Sequence, residues 1–137
     1  QAMREKLTIP LMVTGGFRHR AAMREALATG AVDLIGIARP FCVMPDAAAR
    51  LLAGLDALPC PEEHLRPLPR PLAFLTRLPA VRALTGFATI YWFYEQLWQL
   101  GHKGRPEPGL SPLVASLRVE RRHKAIMKAR AGARASG

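Results

Sequence analysis

The stretches IPLMVTGGF at residues 9–17 and GAVDLIGIARP at residues 30–40 decide the fold of this chain. Their apolar runs, at residues 9–13 and 32–37, are of the kind found in buried parallel strands. Residues 18–29, which lie between them, have the spacing of an amphipathic helix. This order predicts a strand, a helix and a second strand that are joined by a right-handed crossover.

Particular residues mark where the helices of this first segment begin and end. Gly30 stands where the first helix needs a left-handed residue at its C-terminus. Asp46 is a good N-cap for a second helix that runs to about Leu55. Residues 1–56 are therefore predicted to form two strand–helix units. Two parallel strands cannot make an independent sheet, because both faces and both edges need cover, so we expect the missing strands to come from elsewhere.

Residues 57–79 form a Pro-rich connector. Six of the 12 prolines of the chain fall here, namely Pro59, Pro61, Pro67, Pro69, Pro71 and Pro79. Because proline has no backbone N–H, this density predicts an extended segment rather than a helix or a central strand.

Residues 80–137 are predicted to be a helical extension with a basic tail. A helix over residues 80–102 has a narrow polar stripe of Arg82, Thr85, Thr89, Gln96, Gln99 and Lys103. The rest of its surface is apolar and aromatic and needs cover on most sides. We expect this helix to lie in a core or at an interface between copies of the chain, which makes a homo-oligomer a possible assembly. A last, basic helix is predicted from Pro112 to about Arg130.

The positive charge is concentrated near the C-terminus. The chain carries a net charge of +10, and residues 117–137 hold seven basic residues against Glu120 alone. Those basic residues are Arg118, Arg121, Arg122, Lys124, Lys128, Arg130 and Arg134. Such a helix can bind nucleic acid or acidic lipid, but no aromatic interleaving, zinc knuckle or helix-turn-helix spacing accompanies it. We therefore expect a solvated tail and no nucleic-acid partner.

Other classes of protein are disfavoured by the composition. No uncharged apolar stretch of about 18 residues is present, so no membrane partner is expected. Cys42 and Cys60 are too few for a disulfide framework or a four-thiolate metal site, and the four histidines lack metal-ligand spacing. The sequence starts at Gln1 without a secretory pattern, and we expect a cytoplasmic segment that is cut from a longer chain.

The chemistry lies where the two predicted strands end. Gly15 and Gly16 follow the first strand, and they allow a ligand to approach the backbone closely. N–H groups that precede a helix can bind an anion, and Arg39 after the second strand adds a planar guanidinium that matches phosphate. The two loops together predict a phosphate site. Arg18 and Arg20 are interpreted as solvated charges at the start of a helix, with contact to the phosphate as the alternative. Cys60 is interpreted as a residue without a role.

These residues resemble a known family. PLMVTGGF at residues 10–17 and GAVDLIGIARP at residues 30–40 are similar to the last two strands of the NADH:flavin oxidoreductase (old yellow enzyme) family, most closely over residues 8–56. The resemblance implies an α/β fold, in which the chain is the C-terminal fragment of a (β/α)8 TIM barrel. The last two strand–helix units of that barrel would be followed by a mostly helical C-terminal extension.

The resemblance also implies a cofactor and its ligands. Gly15, Gly16, Ala38 and Arg39 would bind the phosphate of FMN, which NAD(P)H reduces before hydride passes to a small electron-poor substrate. The family often has Gly where this chain has Ala38, and a positive φ there would be strained. The catalytic residues of the family come from earlier strands, so none is assigned here. The fragment is expected to be inactive without its partner, the remainder of the barrel.

Two other functions stay open. One is a phosphate-binding barrel segment of different chemistry, and the other is a small basic binding module.

Overall fold

The computed structural model describes residues 6–68 and 70–135. Residues 1–5, Pro69 and residues 136–137 lie outside the described part. They belong to the predicted first segment, connector and tail. The chain divides between Cys60 and Pro61 into two compact units, called here the N-terminal and the C-terminal unit. The described residues are mostly helical and include two parallel strands.

The N-terminal unit contains the two predicted strand–helix units in shortened form. Its elements are β1 (Met12–Thr14), α1 (Arg20–Ala28), β2 (Leu34–Gly36) and α2 (Ala47–Leu52). The two strands are parallel, with Met12 opposite Leu34 and Thr14 opposite Gly36. Gly30 has a φ of 66°, as a helix C-terminus requires.

Two acidic residues of this unit have specific partners. The Asp33 carboxylate accepts the Leu11 N–H at 2.8 Å, directly before the paired strands begin. Asp46 precedes α2 as predicted, but its carboxylate makes no side-chain cap bond. It pairs instead with Arg50 at 2.7 Å, one helical turn later. This bond holds the pKa of Asp46 below its ordinary value.

A small apolar core connects the helices with the start of the connector. Its buried members are Met23, Ala47, Leu51 and Leu58, and Phe17, Ile35, Ile37, Phe41, Met44 and Leu55 pack around them. Leu58 is held in place because its N–H donates to the Arg18 carbonyl at 2.8 Å. The strands are less well covered, since Met12 is 59% exposed and Leu34 is 54% exposed.

The C-terminal unit is built on two long helices, α3 (Pro79–Lys103) and α4 (Pro112–Ala135). Two 3-10 helices, Pro61–Glu63 and Arg70–Arg77, precede them. The connector is thus not extended throughout, because the fixed φ of proline also suits the first turn of a helix. From His123 to Arg134, every side chain of α4 is exposed.

The side of α3 that is buried matches the expected one only in part, since Trp92 is buried as expected but three polar residues are buried with it. The fully or almost fully buried set includes Trp92, Glu95, Gln96 and Gln99, whereas Leu84 is 70% and Phe87 58% exposed. The hydrophobic pattern predicted that the apolar surface of this helix is buried and that Gln96 and Gln99 belong to its polar stripe. Polar side chains can be buried when neighbouring segments supply hydrogen-bond partners for them, and this unit supplies those partners.

Glu95 is the centre of the buried polar network. Its carboxylate is 0% exposed and accepts hydrogen bonds from Gln99 at 2.8 Å, from Arg118 at 3.4 Å and from Arg122. The Arg122 guanidinium also lies over the Trp98 ring, 4.5 Å from its centroid. Burial alone would raise the pKa of Glu95, but the bonds from Arg122, Gln99 and Arg118 outweigh it and lower the pKa. Arg118 and Arg122, which belong to the predicted solvated tail, therefore compensate a buried charge.

The turn between the two helices is held against α3 by hydrogen bonds between α3 side chains and the backbone of the turn. The Gln96 amide donates to the Glu107 carbonyl at 3.0 Å and accepts the Glu107 N–H at 2.7 Å. The Trp92 indole donates to the Leu110 carbonyl at 2.8 Å. Gly104, with a φ of 68°, ends α3. These bonds explain why Gln96 and Trp92 are buried on the same side of the helix.

The contact between the two strands gives a first prediction. A Cβ at position 36 would lie 2.9 Å from Thr14 Cβ and closer still to its hydroxyl oxygen. Gly36→Ala is expected to lower the stability of the N-terminal unit by about 1–3 kcal/mol, since overpacking has that cost. Hydrogen exchange of the β1 and β2 amides measures it. Gly86→Ala is the control, because a Cβ there meets nothing within 4 Å, and equal protection in both variants would contradict the prediction.

The buried carboxylate gives a second prediction. Because the folded pKa of Glu95 is lowered, its contribution is present above the ordinary pKa of 4.5 and is lost as the pH falls through the folded value. Glu95→Gln is expected to cost about 2 kcal/mol at pH 7 and less in acid. Urea unfolding followed by tryptophan fluorescence measures this, since Trp92 and Trp98 both lie in α3. Exposed Glu25→Gln is the control, and a cost independent of pH would contradict the assignment.

Candidate phosphate-binding site

The ends of β1 and β2 open into one cavity of about 220 Å³, called here the strand-end cavity. It is lined by Thr14, Gly15, Gly16, Arg18, Gly36, Ile37, Ala38 and Arg39. All four residues that the family resemblance assigned to the cofactor phosphate therefore lie together. The reason is the register of the parallel strands, which places Thr14 opposite Gly36 and lets both loops leave the sheet side by side.

The first loop needs glycine for conformational reasons. Gly15 has a φ of 124° and Gly16 a φ of 74°, values that side-chain-bearing residues rarely adopt. A Cβ built on either residue would meet no heavy atom within 4 Å, so the space beside this backbone is open. A ligand can therefore approach the main chain of this loop closely.

The second loop begins a short 3-10 helix, Arg39–Cys42. Ala38 precedes it with a φ of −122°, so the strain that a positive φ would cause is absent. The Phe41 N–H donates to the Ala38 carbonyl at 3.1 Å, which fixes the turn, and Pro40 is buried beneath it. Arg39 thus stands at the first position of the turn with an exposed side chain.

The strand-end cavity has a positive lining. Two of its residues are arginines, Arg18 and Arg39, and none of the described residues that line it is acidic. Guanidinium groups at a concave surface attract anions, and their fixed planar geometry suits phosphate or carboxylate oxygens. The cavity can therefore bind an anion by charge and by backbone N–H groups together.

Arg18 lies at the site, against the interpretation that the sequence favoured for it. It was interpreted as a solvated charge with contact to the phosphate as the alternative, and it is half-buried and lines the strand-end cavity. Its Nε donates to Cys60 Sγ at 3.1 Å and its Nη1 to the Phe17 carbonyl at 2.9 Å. Cys60, which was given no role, is its partner from 42 residues further along the chain. No local spacing in the sequence could indicate that pairing.

Two other kinds of functional feature are absent from the described part of the chain. Among residues 6–68 and 70–135, no three His, Cys, Asp or Glu side chains are grouped so that they could hold a metal ion. None of the helices in the same ranges combines the length and apolar character that crossing a membrane requires. Phe17 packs against the apolar core of the N-terminal unit.

Known proteins with similar sequences include flavin enzymes. An NADH-dependent flavin oxidoreductase of Talaromyces variabilis is 32% identical over 106 residues, which is 77% of this chain and 26% of that relative. NADH-dependent flavin oxidoreductases of Hypocrea jecorina and of Neonectria sp. are 49% and 51% identical over 37 residues. The chain thus spans about a quarter or less of the length of these relatives.

A relative with a different name matches a shorter stretch. An isopentenyl-diphosphate delta-isomerase of Synechococcus sp. is 42% identical over 52 residues, or 38% of this chain and 15% of that relative. No family model matches the chain, and no solved structure matches it.

The longest of these matches extends over most of the chain and bears the name of the family that residues 8–56 resemble. The predicted resemblance is confirmed: a segment of this chain belongs to an old yellow enzyme-like family of NADH-dependent flavin oxidoreductases.

Proposed function

We propose that this chain is the C-terminal part of an FMN-dependent NAD(P)H oxidoreductase of the ene-reductase type, in which it binds the phosphate of the flavin. The observation that carries the proposal is the strand-end cavity, where two glycines and two arginines from separate loops face one space. The names of the relatives support a flavin and NADH. FMN is the form of flavin that ends in a phosphate monoester, which an anion cavity at a strand end suits.

The proposal gives a binding role to four residues of the cavity. Backbone N–H groups of Gly15, Gly16 and Ala38 would donate to phosphate oxygens, since open space lies beside both glycines. The Arg39 guanidinium would supply permanent charge and two parallel donors. Flavin, when bound, supplies hydride chemistry, and this chain would fix where the cofactor lies.

The proposal includes further strands that complete a TIM barrel around β1 and β2. The exposed apolar residues Met12 and Leu34 in the strands support it, because parallel strands are normally covered on both faces. The strands that are not part of this chain would provide the catalytic residues and the site for a small electron-poor substrate.

A second candidate is a phosphate-binding barrel segment of different chemistry. The 52-residue match to an isopentenyl-diphosphate delta-isomerase favours it, because the name of that relative specifies a diphosphate substrate. The same cavity could receive a phosphate of such a ligand. A native gene product that lacks a flavin absorption spectrum but retains a diphosphate would support this candidate over the first.

The third alternative, a small basic binding module, has less support. Arg118 and Arg122 are bonded to the buried Glu95, so they could reach a polyanion only by leaving that carboxylate uncompensated. Nucleic-acid affinity that falls steeply with salt would favour this alternative.

Arg39→Ala tests the leading proposal. When this substitution is made in the full gene product, FMN is expected to bind roughly tenfold to hundredfold more weakly than to the native protein. The reason is that a charged hydrogen bond to the phosphate is lost. Riboflavin, which lacks the phosphate, should bind equally well to both forms. Flavin fluorescence titration measures both affinities.

Arg82→Ala is a suitable control for a change of net charge alone, since Arg82 lies on α3 in the other unit. Equal FMN affinity in the native protein and in Arg39→Ala would remove the proposed role of Arg39. A native protein that binds FMN no better than riboflavin would overturn the assignment of the cavity to the flavin phosphate.

A further inference from the structure

We propose that Arg18 is a second cationic ligand of the phosphate in the strand-end cavity, and that the Cys60 thiol positions it. The proposal rests on the proposed function and adds a residue pair to it. The association of the two residues is visible only in the fold.

The Arg18 side chain is fixed along the cavity wall. Its Nε and Nη1 are bonded to Cys60 Sγ at 3.1 Å and to the Phe17 carbonyl at 2.9 Å, so two different edges of the guanidinium are held. The residue is half-buried, and its own carbonyl accepts the Leu58 N–H at 2.8 Å. A side chain restrained in this way loses little further entropy when it binds an anion, which favours affinity.

Two guanidinium groups match the charge of a phosphate monoester. Such a group carries about −1.5 to −2 at pH 7, and a single arginine would balance only part of it. Arg39 comes from the loop after β2, whereas Arg18 comes from the loop after β1. None of the described residues that line the cavity is acidic, so the charged groups of its lining are the two guanidinium groups.

Cys60 acts through Arg18 and is therefore a positioning residue. Its sulfur accepts the Nε–H, which restricts the positions that the guanidinium group can take. The other thiol, Cys42, is buried in the core, and burial raises its pKa. Cys60 is half-buried, so reagents that modify exposed thiols should reach it first.

The neighbouring Arg20 provides a matched control. It lies two residues away and pairs with Asp56 at 3.5 Å, and the Asp56 side chain is almost fully exposed. Arg20 does not line the strand-end cavity. Its removal changes the net charge of the same unit by the same amount but takes no group from the proposed site.

The experiment compares FMN and riboflavin affinities of the native gene product and its variants by fluorescence titration. Arg18→Ala is expected to weaken FMN binding roughly tenfold to hundredfold and to leave riboflavin binding unchanged. Arg20→Ala should change neither affinity. Cys60→Ala should weaken FMN binding about two- to tenfold, and Cys60→Ser, which keeps an acceptor, should restore most of it. Arg18→Lys, which keeps the charge without the planar fork, should lie between the native protein and Arg18→Ala.

The outcomes separate this proposal from the one on which it depends. If Arg39→Ala loses the preference for FMN over riboflavin and Arg18→Ala retains it, the role of Arg18 is refuted and the flavin site stands. If Arg18→Ala loses the preference and Cys60→Ala does not, the positioning role of Cys60 is refuted. A native protein without any preference for FMN overturns the flavin site and this proposal with it.

Discussion

The parallel pairing of β1 with β2 is the constraint on which the candidate site depends. Because Thr14 lies opposite Gly36, the loops that follow the two strands leave the sheet together and reach one cavity. Gly36 permits the pairing, since a side chain at that position would collide with Thr14. A shift of one residue in register would turn every strand side chain to the opposite face. The anion chemistry therefore follows from backbone packing as much as from the charge of the arginines.

The C-terminal unit depends on a different interaction, the compensation of the Glu95 charge. A carboxylate that is withdrawn from water destabilises the protein unless charge and hydrogen bonds replace its hydration. Both arginines that do so come from α4, whereas Gln99 comes from α3 itself. This requirement connects the two helices and determines which side of α3 faces inward. Arg118 and Arg122 of the basic C-terminal segment therefore stabilise the interior of the unit.

The sequence predicted features that depend on neighbours along the chain. The two strands, the left-handed Gly30 and the long helix from about residue 80 all follow from local patterns, and the four predicted cofactor ligands lie in one cavity. The pairing of Arg18 with Cys60 could not be predicted, because its members are 42 residues apart. The burial of Gln96 and Gln99 could not be predicted either. Hydrophobic periodicity records the preference of a side chain for water and not the partners that another segment offers.

The exposed strand edges bear directly on how strongly the cavity could bind an anion. The apolar face of α3 could be covered by many kinds of surface, but a strand edge presents N–H and C=O groups in a fixed direction and register. Further parallel strands meet that requirement, as in the proposed barrel. The strand-end cavity lies at the ends of the same strands, so strands added beside them would also exclude water from its sides. Electrostatic attraction is stronger where less water is present. In the proposed barrel, the strands that cover Met12 and Leu34 would therefore strengthen the contacts that Arg18 and Arg39 are proposed to make with the phosphate.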